Sequence, residues 1–286
     1  MSHPSYLVRE PENRHACVVF ASPHSGRAYS DIFLRSSALD AHTIRSSEDA
    51  FIDLLFANAT NFGAPFLTAG APRAFVDLNR ACDELDPAVI EGVRPQGHNP
   101  RVASGLGVIP RVVANGRAIY RGKISLGEAK RRIETYWKPY HLKLQKLLDE
   151  ARKMHGQAVL IDCHSMPHEA MDGMVRGGMR RPDVVLGDRF GAAASPSVME
   201  QVEEAFRSAG FVTTRNAPFA GAYIAQAYGR PSRRQHAIQV EIDRSLYMHE
   251  STIQPNAQFQ DVKERLTQAI SQITLIGQDR LPLAAE

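Results

Sequence analysis

The stretch Ala158-Val159-Leu160-Ile161-Asp162-Cys163-His164-Ser165 decides the reading of the fold. An unbroken apolar run leads straight into an acid and an imidazole. Such a run, without polar alternation, suits a strand covered by helices on both faces of its sheet. Working outward, residues 16–22 (ACVVFAS), 65–69, 74–79 (AFVDLN), 183–187, 211–214 and 237–242 (AIQVEI) have the same character. Helical patterns lie between them. The clearest begins at Ser125, with Glu128 three residues on as a capping box, and continues as an apolar stripe through Ile133, Trp137, Tyr140, Leu144, Leu147 and Leu148. Pro139 falls inside this stripe and predicts a kink or a split. Further helices are expected at 49–61, 197–209 and 256–276. Strands alternating with helices predict an α/β fold around a mixed, mostly parallel sheet.

The chain has 286 residues, no internal repeat and no Pro/Gly/Ser linker, which predicts one domain spanning 1–286. Residues 91–123, rich in Gly, Pro and Arg, read as an irregular excursion from it. A composition that is 43% hydrophobic and 23% charged excludes a disordered or fibrous chain. A net charge of only +3 argues against nucleic-acid and membrane partners. No apolar run reaches the ~18 residues that span a bilayer. The first residues, MSHPSYLVREPENRHA, lack a signal-peptide pattern. Cys17, Cys82 and Cys163 form no CxxC, so neither a disulfide scaffold nor a thiolate zinc site is expected, and a cytoplasmic location is.

Ligands of α/β sheets bind beyond the carboxyl ends of the strands. Here those ends carry Pro23-His24-Ser25-Gly26, Leu78-Asn79-Arg80, Asp162-Cys163-His164-Ser165 and Glu241-Ile242-Asp243-Arg244. These polar groups are costly to bury unless paired or metal-bound. His24 and His164 suit a zinc ion, with Asp49 or Glu48 as the carboxylate ligand. Asp162, two residues from His164, lies on its face of a strand and suits a partner that orients an imidazole. Glu241 reads either as a general base beside metal-bound water or as the ion-pair partner of Arg244 or another Arg. Arg73, Arg80, Arg111, Arg121 and Lys123 offer cations to an anionic substrate, or a solvated basic face.

Other schemes lack support. Cys163 and His164 are adjacent on a strand and point to opposite faces, so they form no dyad. Gly187-Asp188-Arg189-Phe190-Gly191 is no GxSxG elbow, and neither a dinucleotide fingerprint nor a P-loop is present.

Taken in order, these motifs resemble the N-formylglutamate amidohydrolase (deformylase) family. The series runs through Pro23–Gly26, Ser47-Glu48-Asp49-Ala50-Phe51-Ile52-Asp53, Pro72-Arg73-Ala74-Phe75-Val76-Asp77-Leu78-Asn79-Arg80 and Tyr120-Arg121-Gly122-Lys123. It continues through Asp162-Cys163-His164-Ser165-Met166-Pro167, Gly187–Gly191 and Gln239–Arg244. The resemblance implies a fold like that of zinc carboxypeptidases and aspartoacylase, a phosphorylase/hydrolase-like fold. It implies one Zn²⁺ per chain, or another divalent metal, held by His24, His164 and Asp49. In the carboxypeptidase group the carboxylate stands three residues after the first His; here that residue is Arg27, so it must come from elsewhere. By the same resemblance Glu241 is the base, Arg73 polarises the carbonyl, and Asn79 with Arg80 grips a substrate carboxylate. Arg111 and Arg121 belong to the same substrate-binding set.

The implied reaction is hydrolysis of N-formyl-L-glutamate to formate and glutamate, in histidine degradation, on a small anionic N-acyl amino acid. Rival readings are a zinc amidohydrolase for another N-acyl amino acid or short peptide, and a non-catalytic relative that only binds such ligands. Residues 169–181, rich in Gly and Met, read as a mobile lid or as part of the pocket.

Overall fold

The computed structural model describes residues 4–94, 97, 99–174 and 180–278. A seven-stranded sheet organises the chain. Its strands are β1 (Tyr6–Arg9), β2 (Val18–Ser22), β3 (Phe66–Ala69), β4 (Ala158–Met166), β5 (Val184–Gly187), β6 (Thr213–Arg215) and β7 (Gln235–Asp243), in the order β1-β3-β2-β4-β7-β5-β6. β2–β4, β4–β7 and β5–β6 pair in parallel; β5 runs antiparallel to β7. Every residue of β4 and β7 is buried, which explains why both read as apolar runs without alternation. Edge strand β1 alternates half-buried and exposed residues and escaped the search for apolar runs. The mixed, mostly parallel α/β sheet agrees with the sequence expectation.

The chain forms two compact units. One comprises Val8–Ser22, Phe51–Leu67 and the described residues from Leu144 onward, and holds β2 and β4–β7. Amphipathic helices Pro196–Ser208 and Phe259–Ile273 belong to it and bury Val198, Val202, Phe206, Leu266 and Ile270. The other comprises the described residues of 4–7, Pro23–Ala50 and Thr68–Lys143. Its core gathers Phe33, Ile44, Ala74, Val113 and Ile119. Arg132 lies 3.9 Å from the centroid of the Phe75 ring, with Nε on Glu128 at 2.7 Å and Nη1 on the Tyr120 hydroxyl at 2.6 Å. A buried guanidinium is tolerable there because a carboxylate and π faces replace its water.

Three expectations need correction. Residues 74–79 form no strand: the amides of Phe75 and Val76 turn back to the Pro72 carbonyl, and that of Asp77 reaches Val108. Val76 and Leu78 are buried as the alternation demands, but the backbone is a chain of turns carrying a buried acid between them. The single helix expected at 49–61 is broken into Ile52–Leu55 and a 3₁₀ turn, Ala57–Phe62. Phe51, at φ 67°, starts it from the left-handed region, and Gly63, at φ 75°, ends it. The capping box is half made: Ser125 accepts the Glu128 amide, whereas the Glu128 carboxylate turns to Arg131 and Arg132.

Pro139 does split its helix. Leu126–Arg132 and Lys138–His155 are joined by a π-helical turn, Ile133–Trp137. Proline offers no amide and crowds the carbonyl four residues back, which a widened turn relieves. The described residues of 91–123 hold the short helix Pro100–Ala103, a 3₁₀ turn at Ala114–Gly116 and isolated bridges. Among the described residues no helix is long and apolar enough to cross a membrane.

Candidate metal centre and active site

β2 ends at Ser22 and the chain continues into Pro23-His24-Ser25-Gly26. Gly26 is required by close approach: a Cβ there would stand 2.2 Å from the Ala71 carbonyl oxygen. His24 is buried, and its Nε2 lies 2.7 Å from Asp77 Oδ1. Its Nδ1 lies 3.4 Å from Asp49 Oδ2, and its carbonyl accepts the Asp49 amide at 3.0 Å. Backbone and side chain together fix Asp49 against His24. The neighbouring Glu48 is turned elsewhere: both its oxygens are held by Arg45, at 2.9 and 3.1 Å, and Tyr29 donates to it.

Asp77 went unremarked as a site residue in the sequence. It accepts from the Asn79 amide at 2.8 Å and from Arg73 Nε at 3.1 Å, besides facing His24. Burial alone would raise its carboxyl, but His24, Arg73 and Arg80 outweigh that and hold it well below the usual carboxylate range. The signal was there: an acid between Val76 and Leu78 is buried with them and needs partners.

Arg80 is buried, with Nε on the Leu106 carbonyl and Nη1 on the Asn79 carbonyl, both at 2.8 Å. The π-helical turn brings Trp137 Nε1 to the Arg80 carbonyl at 2.8 Å, so the irregular helix anchors the Asn79-Arg80 segment. His141, one turn on, lies with its ring centroid 4.0 Å from that of Trp137 and its Nε2 2.9 Å from the Leu78 carbonyl. Arg111 Nε is held by Asp86 at 2.9 Å, Lys123 reaches the Pro87 carbonyl, and Arg121 is exposed.

On the sheet, the parallel register of β4 and β7 pairs Asp162 with Gln239, His164 with Glu241 and Met166 with Asp243. Register partners share a face, so His164 and Glu241 stand side by side. Asp162 Oδ2 lies 3.0 Å from His164 Nε2. Gln239 donates its amide to Glu241 Oε1 at 2.7 Å and accepts the Ala222 amide at 2.8 Å. Arg244 Nε donates to Ser165 Oγ at 3.1 Å, and Nη1 lies 4.0 Å from Glu250. Cys163 is buried on the other face, where burial pushes its thiol well up and leaves it no nucleophile at neutral pH. Part of the segment 169–181, residues 175–179, lies outside the described residues.

His24, Asp49 and His164 are all buried and offer donor atoms within 4.8 Å of one another. Each imidazole has a carboxylate at Nε2, Asp77 for His24 and Asp162 for His164. An Nε2–H donated to a carboxylate leaves Nδ1 as the lone-pair nitrogen, the arrangement common around metal-bound histidines. Two imidazoles and a carboxylate can bind a divalent metal ion.

Residues 16–248 match the family of N-formylglutamate amidohydrolases. The chain belongs to that family. N-formylglutamate deformylase of Pseudomonas putida is 30% identical over 242 residues, 82% of each chain. The deformylase of Pseudomonas aeruginosa is 29% identical over 241 residues, again 82% of each. The crystal structure of N-formylglutamate amidohydrolase from Ralstonia eutropha superposes with a TM-score of 0.89 at 31% identity, covering 96% of this chain and 98% of that one. An Agrobacterium tumefaciens gene product shares the fold, with a TM-score of 0.61 at 14% identity. The matched residues include His24, Asp49, Asp77, Arg80, His164 and Glu241.

Proposed function

We propose that this chain hydrolyses the formyl amide of N-formyl-L-glutamate, releasing formate and L-glutamate. The buried His24, Asp49 and His164 group, in a chain of the N-formylglutamate amidohydrolase family, carries the reading. Zn²⁺ is the metal that best matches two imidazoles and one carboxylate. A metal held there supplies Lewis acidity, making water acidic enough to ionise near neutral pH.

The chain's own residues do the rest. Asp77 and Asp162 hold the two imidazoles in one tautomer and one orientation. Glu241, beside His164 on the sheet, takes the proton from the attacking water and returns it to the leaving amine. Arg73 stabilises negative charge developing on the formyl oxygen. Asn79 and Arg80 grip a glutamate carboxylate, and Arg111 and Arg121 extend the cationic lining. The small anionic substrate is matched by this excess of arginine. Formate and glutamate release would place the enzyme in histidine degradation. Its free cysteines, Cys17 and Cys163 buried, suit the reducing cytoplasm.

The test is metal content of the purified protein, with formate release from N-formyl-L-glutamate measured with and without a chelator. About one metal per chain and chelator-sensitive formate release are expected. Metal without formate release from this substrate, but with acyl release from N-acetyl amino acids, would move the specificity elsewhere. Neither metal nor hydrolysis would refute the reading.

A further inference from the structure

A polar cavity lies at the starts of β4 and β7, the ends opposite His164 and Glu241. It encloses about 490 Å³ and is lined by residues that include Gln157, Ser195, Ser197, Arg234 and His236. Gln157 and Arg234 immediately precede β4 and β7. His236 and Glu241 are five residues apart on β7, roughly 17 Å along an extended strand, so the cavity is separate from the metal group.

Its chemistry is that of an anion site. His236 is only 5% exposed. Its Nδ1 accepts the Ser195 amide at 3.2 Å, which puts the ring proton on Nε2. That Nε2–H finds no acceptor among the described residues, and the ring lines the cavity. Ser195 caps the helix Pro196–Ser208, and its Oγ makes no capping bond; it pairs with Ser197 Oγ at 3.3 Å instead. The amides of Val198 and Met199 turn back to the Ser195 carbonyl and Pro196 has none, leaving the Ser197 amide as a free donor of the first turn. Arg234 is exposed and makes no ion pair among the described residues. Among the described residues no Asp or Glu lines the cavity. A helix N-terminus, an imidazole N–H and an exposed guanidinium, without an acceptor among the described residues, thus line one cavity.

We infer that this cavity binds a small anion bearing a phosphate or carboxylate group, at a site distinct from the metal centre. Its volume exceeds that of a lone inorganic ion and suits a small organic acid or phosphate ester.

Calorimetric titration of the full chain with inorganic phosphate, and separately with citrate, tests this at fixed ionic strength. Saturable binding of either probe is expected, with the preferred probe naming the chemistry. Arg234→Gln, a surface change that leaves the fold and formate release intact, should weaken that binding at least tenfold, about 1.4 kcal/mol. His236→Phe should weaken it further, and the His236 ring resonances of the unaltered protein should shift on titration. No saturable binding of either probe, or equal affinity in Arg234→Gln, would overturn the assignment.

Discussion

His164 and Glu241 are register partners on adjacent parallel strands, so the imidazole and the carboxylate leave the sheet on one face as neighbours. Gln239, two residues earlier on β7, donates to Glu241 Oε1 at 2.7 Å and holds that carboxylate in place. Glu241→Gln should therefore retain bound metal and lose about 10²-fold or more in kcat, as removal of a general base does. Steady-state formate release with metal analysis checks it; an unchanged kcat would put the base elsewhere.

His164→Ala should abolish stoichiometric metal and activity together. The imidazole is buried beside Asp162, so the variant also leaves that acid without its partner and should lower the melting temperature. Metal analysis of the folded fraction reads the outcome. Full activity in a metal-free variant would contradict the metal assignment.

Asp77 touches His24, Arg73 and the Asn79 amide at once. Asp77→Asn keeps the shape but removes the charge that orients His24. Metal affinity should fall about 10- to 100-fold, as loss of such an orienting carboxylate does. Competition with a chromogenic chelator measures it. Unchanged affinity would reduce Asp77 to a purely structural role.

Arg80→Ala should raise KM for N-formyl-L-glutamate far more than for an uncharged formyl amide, because Arg80 is proposed to read a carboxylate. Arg80→Lys keeps the charge without the planar fork and should fall between. Equal changes for both substrates would mean that Arg80 only supports the loop through Leu106 and Asn79.

His141 is a pH-dependent element of stability. Burial pushes its pKa down to about 4, only partly offset by the Leu78 carbonyl, against an ordinary value of 6.5. The fold therefore favours neutral imidazole, and the unfolded chain takes up the proton first. Stability should be full above pH 6.5, fall as pH drops from 6.5 towards 4, and lose on the order of 3 kcal/mol across that window. His141→Gln, which keeps a donor for the Leu78 carbonyl, should flatten that part of the stability–pH curve. Denaturant melts at several pH values decide, and an unaltered slope would exclude His141 as its source.

Much of this was legible in the residues. β4 and β7 announced themselves because strands buried on both faces have no solvent side to encode, and their polar ends stood out against the apolar run. That Asp162 lies on the face of His164 follows from strand periodicity alone. Residues 74–79 misled because burial of Val76 and Leu78 mimics strand alternation, whereas hydrogen bonds to Pro72 and Val108 decide the backbone. β1 was missed because four edge residues with a half-exposed face carry little hydrophobic signal.

The sequence by itself determined the α/β class, the strand ends at which chemistry gathers, and the membership that the ordered motifs carry. These depend on local periodicity and residue type, which a linear chain records. Only tertiary structure decided that Glu48 belongs to Arg45 while Asp49 faces His24, and that Asp77 meets the same ring. It also decided that a π-helical turn aims Trp137 at Arg80. Those choices rest on distances between residues far apart in the chain, or on which way adjacent side chains turn, and neither is written in spacing.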